Sequence, residues 1–423
     1  MSDSSVVSVD PRSSFELADR ILRAGHSLKR TLGAGVGSEE AGRILRAWLT
    51  QLELGIGADG LLATLEQSGP PDPSLRPRTS HPSAPRVAVV ADELTSGRGL
   101  ARILTQLHQR EVPGHRVDVL GTNLEVLCSE RRYDLVHVCE PGPAGIAALL
   151  FARATGTPVV GSYHTHMSSL DGADIERRLD GALGSFYGQC RAVLSPSRFA
   201  DRSLAAFGLA PERIARWEPG VDRTRFSPAC YGSESLPDTF NVLYAGRLGS
   251  DKGLDLLTDA FQIARDRDPR LHLVLAGDGP EQERLRARLR STATFLGWLD
   301  AEELAGVYAS ADLLVFPSST DTTGQVVLEA QASGLPVLAV DAGGAAELIE
   351  NGRSGCLVAA DPAALGSAIR GLARRAALQD RLATGGLMAV CERTWERSLA
   401  QLASGYARAL GEPDVPHEVA RAA

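Results

Sequence analysis

Residues 271–289 read LHLVLAGDGPEQERLRARL, and this stretch decides the fold of the chain. An unbroken apolar run is followed by a glycine turn and then by a helical pattern. The apolar run is typical of a strand buried on both faces, as in a parallel sheet. Gly277 and Gly279 permit positive φ angles and close backbone approach in the turn, and Pro280 suits the first position of a helix. The segment therefore predicts one strand–turn–helix unit of an α/β sheet.

The same alternation extends from this unit toward both ends of the chain, with helical periodicity in stretches such as Leu254–Arg265. Two blocks of such units predict an α/β fold made of two Rossmann-like, doubly wound domains that face each other across a cleft. Twelve strands are predicted, at Val87–Ala91, Val117–Leu120, Leu135–Cys139, Val159–Ser162, Ala192–Leu194, Ile214–Trp217, Asn241–Ala245, Leu271–Ala276, Thr294–Leu296, Leu313–Phe316, Val337–Val340 and Cys356–Val358.

Shifts in composition divide the chain into segments. The stretch 69–85 is rich in proline and serine and has no apolar periodicity, which indicates a linker. Amphipathic helices within residues 14–67 bury too little for a core of their own, so we expect them to pack on the main body or to bind a partner protein or a membrane surface. The predicted segments are a small helical N-terminal segment (1–68), the linker (69–85), an N-terminal acceptor-side domain (86–219), an interdomain linker (220–237), a C-terminal domain (238–394) and a terminal helix (395–410).

Composition excludes several classes of protein. The 423 residues carry a formal net charge of −8, which argues against binding to nucleic acid through a basic surface. The six cysteines stand singly, without a C-x-x-C pair, which indicates free thiols in a reducing compartment rather than a disulfide framework or a zinc site. The polar N-terminus has no signal-peptide pattern, and no apolar run reaches the roughly 18 residues that span a bilayer. We therefore expect a cytoplasmic protein without a transmembrane segment.

Two motifs of the C-terminal block carry polar side chains suited to phosphate and sugar. The loop at 246–253, GRLGSDKG, places Arg247 and Lys252 five residues apart after a strand, where they can clamp a diphosphate or simply stand as solvated cations. Residues 316–336 read FPSSTDTTGQVVLEAQASGLP, in which Gly324 begins a helix whose free N–H groups suit a phosphate. Glu329 lies inside this apolar helix, so its carboxylate needs donors, for which vicinal sugar hydroxyls are suitable.

Together with AGDGP these motifs resemble those of the GT-B glycosyltransferases of the retaining GT4 group. That group carries G-R-L-x-x-x-K-G, A-G-x-G-P and an E-x7-E element ending in L-E-A-x-A-x-G-x-P. The resemblance covers roughly residues 86–410 and is greatest to bacterial GDP-mannose-dependent mannosyltransferases. It implies a GT-B fold and a metal-independent retaining hexosyltransferase. The substrate would be a GDP- or UDP-linked sugar, with mannose favoured, and no cofactor or metal would be needed.

The resemblance also implies roles for individual residues. Arg247 and Lys252 would hold the donor diphosphate, Asp321 would face hydroxyls of the donor sugar, and Glu329 would bind the ribose. His164, in GSYHT at 161–165, matches the family histidine that lies beside the transferred sugar. The remaining residues expected at the donor are Gly97, Gly99, Gly277, Gly279, Gly324, Gln325 and Val326. The acceptor would be a small molecule, a glycan or a lipid-linked molecule.

Departures from the family pattern keep a second function open. Thr323 stands where relatives often carry phenylalanine, and the connection between Gly121 and Tyr133 is a few tens of residues shorter than in relatives. The alternative is a donor-binding but catalytically idle GT-B protein that acts on a partner through residues 14–67. A dinucleotide oxidoreductase is disfavoured because Arg102 and Gln282 replace the last glycine of G-x-G-x-x-G in both candidate loops. The D-x-D at 266–268 lies away from the motifs and is read as chance.

Overall fold

The computed structural model describes residues 84–91, 99–121, 127, 133–142, 144–146, 148, 149, 152, 156–164, 183–231 and 236–412. The predicted helical segment 1–68, almost all of the linker 69–85, Gly97, most of the connection 121–133 and residues 232–235 of the interdomain linker lie outside this part of the chain. The predicted domain boundaries therefore stay predictions.

The first block of strands forms a six-stranded parallel sheet in the order β2-β1-β3-β4-β5-β6. All four residues of β3, β4 and β5 are buried, as their largely apolar sequences predict. The strands are β1 (Arg86–Val90), β2 (Arg116–Gly121), β3 (Leu135–Val138), β4 (Val159–Ser162), β5 (Ala192–Ser195) and β6 (Ile214–Arg216).

The second block forms another six-stranded parallel sheet, in the order β12-β11-β10-β7-β8-β9. Together the two sheets confirm the predicted pair of doubly wound α/β sheets. The strands are β7 (Phe240–Ala245), β8 (Leu271–Ala276), β9 (Ala293–Gly297), β10 (Leu313–Phe316), β11 (Val337–Val340) and β12 (Cys356–Val358).

Helices follow most strands and cover both faces of the sheets, so each sheet has an apolar cluster on either side. The helices with fully described bounds are α1 (Gly99–Gln109), α2 (Arg198–Ala206), α3 (Leu254–Arg265), α4 (Gln282–Leu289), α5 (Ala301–Ser310), α6 (Gln325–Ala332), α7 (Pro362–Ala373), α8 (Ala376–Ala389) and α9 (Trp395–Leu410). Five short 3-10 turns complete this list: Pro211–Arg213, Pro228–Cys230, Ser250–Lys252, Arg290–Thr292 and Ala345–Leu348.

Local sequence sets the helix ends. Asp300 accepts hydrogen bonds from two N–H groups of the first turn of α5, and Glu303 completes a capping box. The helix after the glycine turn begins at Gln282 rather than at the predicted Pro280, because the N–H of Glu281 donates to Leu248 O and that of Gln282 to Gly279 O. These two bonds hold residues 280 and 281 in a turn.

The last helix, α9, packs on the first sheet although it follows the second in sequence. Leu399, Leu402 and Tyr406 are buried in the cluster that contains residues of β1 and β4. Inside the sheet, His137 accepts or donates hydrogen bonds at both ring nitrogens, to Tyr406 Oη and to Ser162 Oγ, each at 2.9 Å. None of the described helices has the length and apolarity needed to cross a bilayer.

Candidate functional site

The candidate site lies where the strand order reverses. In the second sheet, β7 has β8 on one side and β10 on the other, so the loops after β7 and β10 leave the sheet side by side and diverge. Ligands of doubly wound sheets bind at this switch point, beyond the carboxyl ends of the strands. An ideal Cβ on Gly253, whose φ is +69°, would lie 2.4 Å from Pro317 O. The two motif loops are therefore in direct backbone contact.

The predicted diphosphate cations lie together with two carboxylates. Lys252 Nζ donates to Asp321 Oδ2 at 3.2 Å and lies 3.7 Å from Asp251 Oδ2. Arg247 is paired with Asp251. All four side chains keep between 24% and 38% of their surface exposed. The cations are thus accessible to a ligand, whose anionic groups would have to compete with Asp251 and Asp321.

Asp321 also stabilises the turn that leads into the helix α6. Its Oδ1 accepts from the backbone N–H groups of Gly324 at 2.7 Å and Thr323 at 3.0 Å. Burial raises the pKa of this carboxyl, but Lys252 and the two N–H groups together bring the pKa below its usual value. Asp321 is therefore ionised at neutral pH.

The start of α6 presents N–H groups that suit an anion. Gly324 has φ +69° and accepts the first helical hydrogen bonds, from Val327 and Leu328. The N–H groups of Gln325 and Val326 precede these bonds in the first turn, where N–H groups of a helix lack an intrahelical partner. A bound phosphate at this end would gain from them.

Glu329 lies one turn further along α6 with 1% of its side chain exposed. Arg102 Nη1, from α1 beside the first sheet, donates to both carboxylate oxygens, at 2.6 Å and 2.8 Å. Tyr308 Oη, from α5, donates to Oε2 at 3.2 Å. Glu329 raises the pKa of the Arg102 guanidinium, against the effect of burial. The donors that a buried carboxylate requires are thus supplied by the protein itself in this structure.

His164 follows β4 and faces the second sheet across the cleft. Its carbonyl oxygen accepts from Thr322 Oγ1 at 2.6 Å. Both ring nitrogens are buried without a hydrogen-bond partner in the described structure, and the ring packs edge-on against Trp217 at a centroid distance of 5.3 Å. Burial lowers the pKa of His164 to about 4, so the ring is neutral at pH 7. It lines a small cavity of about 10 Å³ together with Thr323 and Trp395.

The glycines of AGDGP have a packing role. Gly277 and Gly279 have φ of +146° and +157°, and ideal Cβ atoms would lie 2.0 Å from Gly246 O and 2.4 Å from Leu248 O. The turn after β8 therefore fits against the loop after β7 only because both residues are glycine. In the first domain Gly99 is the first residue of α1.

Further contacts join the two sheets around the site. Glu347 accepts from the backbone N–H groups of Arg198 at 2.8 Å and Phe199 at 2.7 Å, at the start of α2. Gln325 Nε2 donates to Gly220 O at 3.1 Å. Together with the contacts of Glu329 and His164, these bonds connect the two domains across the cleft.

Sequence reasoning missed two of the site residues. Arg102 attracted notice only because it breaks a dinucleotide motif, and Tyr308 carried no signal. Conversely, Asp268 of the D-x-D bonds with the side chains of Arg270 and Arg374, away from the cleft. Within the described residues no group of three or more histidine, cysteine or carboxylate side chains could hold a metal ion.

Comparison with known proteins decides the family. The family described as Glycosyltransferase Family 4 matches residues 86–225, and that described as Glycosyl transferases group 1 matches residues 239–375. The GDP-mannose-dependent alpha-mannosyltransferase of Mycolicibacterium smegmatis is 34% identical over 290 residues, which cover 66% of this chain and 74% of that protein. The chain belongs to glycosyltransferase family 4.

Two further comparisons of this family 4 chain cover a shorter region or rest on the fold alone. The sulfoquinovosyl transferase of Arabidopsis thaliana is 32% identical over 52% of this chain, which spans only 45% of the length of that relative. The crystal structure of Anabaena HepE with UDP and glucose superposes with a TM-score of 0.65 at 19% identity, covering 76% of this chain and 99% of that one. This likeness confirms the predicted GT-B fold.

Proposed function

We propose that this family 4 chain transfers a hexose from a nucleotide-diphosphate sugar to a hydroxyl group of an acceptor, with retention of configuration and without help from a metal ion. The observation that carries the proposal is the convergence of Arg247, Lys252 and the start of α6 at one switch point, opposite His164. Two cations and a helix N-terminus at one place suit a diphosphate leaving group.

Each predicted residue with a polar side chain has a role in this proposal. Arg247 and Lys252 neutralise the diphosphate, assisted by the N–H groups of Gln325 and Val326. Asp321 orients Lys252 and faces the donor sugar, and His164, being neutral, lines the sugar side of the cleft. Glu329 binds the ribose hydroxyls. Because the family relative from Mycolicibacterium is named for GDP-mannose, we propose mannose as the sugar and GDP as the nucleotide.

The reaction would proceed on one face of the sugar. The bond between the anomeric carbon and the diphosphate oxygen breaks, and a bond from that carbon to the acceptor oxygen forms on the same face. The proton of the acceptor hydroxyl passes to the departing diphosphate oxygen. The contribution of the protein is then positioning and electrostatic stabilisation of the leaving dianion by groups already in place.

Titration of GDP and UDP into wild type and Lys252→Gln tests the donor site. Losing a charged contact, and exposing the diphosphate to the unneutralised Asp321, should weaken binding about tenfold to a hundredfold. Arg353→Gln is the matched control, since Arg353 is an exposed cation that pairs with Glu350 just before β12, at the amino end of the sheet. Equal binding by wild type and Lys252→Gln would contradict the proposal.

One observation favours a second candidate, a catalytically idle protein that binds partners and, unlike the donor-binding alternative considered from the sequence, does not bind the nucleotide sugar. Glu329, the carboxylate expected to bind ribose, is already satisfied by Arg102 and Tyr308. If neither GDP, UDP nor their hexose conjugates bind to wild type or to a variant that frees Glu329, this second function replaces the first.

A further inference from the structure

Glu329 is hydrogen-bonded by two side chains, one from its own domain and one from the other domain. Tyr308 lies on α5 of the same domain and is fully buried, so its hydroxyl stays beside Glu329 whatever the arrangement of the two domains. Arg102 lies on α1 of the other domain. Its contact with Glu329 therefore depends on how the two domains are placed relative to each other.

The Arg102–Glu329 pair uses the oxygens that a ribose would need. A carboxylate offers about four lone-pair positions, and three donor contacts already reach the two oxygens of Glu329. Only 1% of the Glu329 side chain is exposed, so no open face remains for two more hydroxyl groups. The Arg102 side chain keeps 30% of its surface exposed and can move toward water.

We infer that Arg102 competes with the ribose of the nucleotide for Glu329 and thereby sets the affinity of the chain for its donor. The inference rests on the proposed function, because it takes Glu329 as the ribose-binding carboxylate. A nucleotide must break the Arg102–Glu329 pair before its hydroxyls can bond. Its apparent affinity is reduced by the fraction of molecules in which the pair is formed.

The direction of this effect distinguishes competition from assistance. An arginine that helped to bind the diphosphate would lower affinity when removed. An arginine that blocks the ribose carboxylate raises affinity when removed. Arg102→Met keeps the apolar stem and removes the charge, and should bind GDP or UDP about tenfold more tightly than wild type, since charged hydrogen bonds are among the stronger ones in proteins.

Deoxygenated nucleotides distinguish competition for Glu329 from a purely structural role of Arg102. The 2′,3′-dideoxy forms of GDP and UDP lack the hydroxyls that displace Arg102, so they bind wild type with the Arg102–Glu329 pair intact. The preference for ribose over dideoxyribose should therefore rise about tenfold in Arg102→Met. Arg202→Met is the matched control, because Arg202 also faces a carboxylate of the other domain, Glu347 at 3.9 Å, and should leave both affinities unchanged.

Arg102→Gln is the second variant, in case a buried Glu329 without a partner impairs folding. It keeps an amide donor without charge and should also tighten ribonucleotide binding. Tighter ribonucleotide binding by either variant, including binding that appears only in a variant, supports the inference. Unchanged or weaker ribonucleotide binding by a folded variant overturns the inference. If wild type binds the nucleotide in the same experiment, the proposed donor site is unaffected. If wild type and both variants bind neither GDP nor UDP, the proposed function falls and this inference with it.

Discussion

Lowering the pH from 7 to 5 should destabilise the domain of the first sheet through two buried histidines. Burial lowers the pKa of His164 to about 4, and burial together with the neighbouring His164 lowers that of His137 to about 3. In the unfolded chain both rings titrate near pH 6.5. Because the folded state disfavours protonation of both rings, their contribution to the unfolding free energy is complete above about pH 6.5. It is lost as the pH falls toward the pKa values of the folded state.

The magnitude follows from these pKa values. At pH 5 an unfolded histidine is almost fully protonated, whereas the folded His164 is mostly neutral. Between pH 7 and pH 5, this difference in proton binding between the unfolded and folded states lowers the unfolding free energy by about 2 kcal/mol for His164 and by a similar amount for His137. Together the two histidines should account for about 4 kcal/mol of lost unfolding free energy.

Urea unfolding at pH 7, 6 and 5 measures this loss, followed by tryptophan fluorescence because Trp217 packs against both rings. His164→Phe keeps an aromatic ring at the position and should reduce the loss of unfolding free energy between pH 7 and pH 5 by about 2 kcal/mol. His115 and His272, whose pKa values burial also lowers, are present in both proteins and cancel in the comparison. Parallel pH profiles for wild type and His164→Phe would refute the assignment of His164 as a buried neutral ring.

Three substitutions test the fold around the site, each by chemical denaturation. Tyr406→Phe removes the hydrogen bond to the buried His137 and should cost about 1–3 kcal/mol, with no change expected if water replaced the hydroxyl. Gly324→Ala should cost about 1–3 kcal/mol because φ is +69° and the new Cβ would lie 2.9 Å from Ala345 Cα, so a neutral result would contradict the described geometry. Asp300→Ala should cost about 1 kcal/mol by uncapping α5, and retained stability would show that the cap is dispensable.

Local patterns predicted most of the second sheet. Four strands, β8, β10, β11 and β12, have the predicted bounds, because continuous apolar runs between turn residues leave one way to bury both faces. The helices α3 and α9 also have the predicted bounds. At the start of α4, where prediction and structure differ, the N–H of Glu281 donates to Leu248 O in the loop after β7 and so delays the helix.

The candidate site, like the fold, was predicted only in part. The motif loops carrying Arg247, Lys252 and Asp321 could be predicted because each is contiguous in sequence and follows a strand. Their mutual pairing could not, since it depends on β7 and β10 being neighbours, a fact of sheet order that no local pattern contains. The bonds of Asp321 with the N–H groups of Thr323 and Gly324 follow from the path of the loop before α6.

By itself the sequence determined two α/β sheets, the loops that meet at a switch point and the family to which they belong, because apolar periodicity and contiguous motifs are local properties. Only the tertiary structure decided what surrounds Glu329. The sequence required donors for a buried carboxylate and suggested sugar hydroxyls, whereas the folded chain supplies Arg102 from 227 positions away. Burial makes such a partner necessary, and only the packing of one domain against the other determines which side chain provides it.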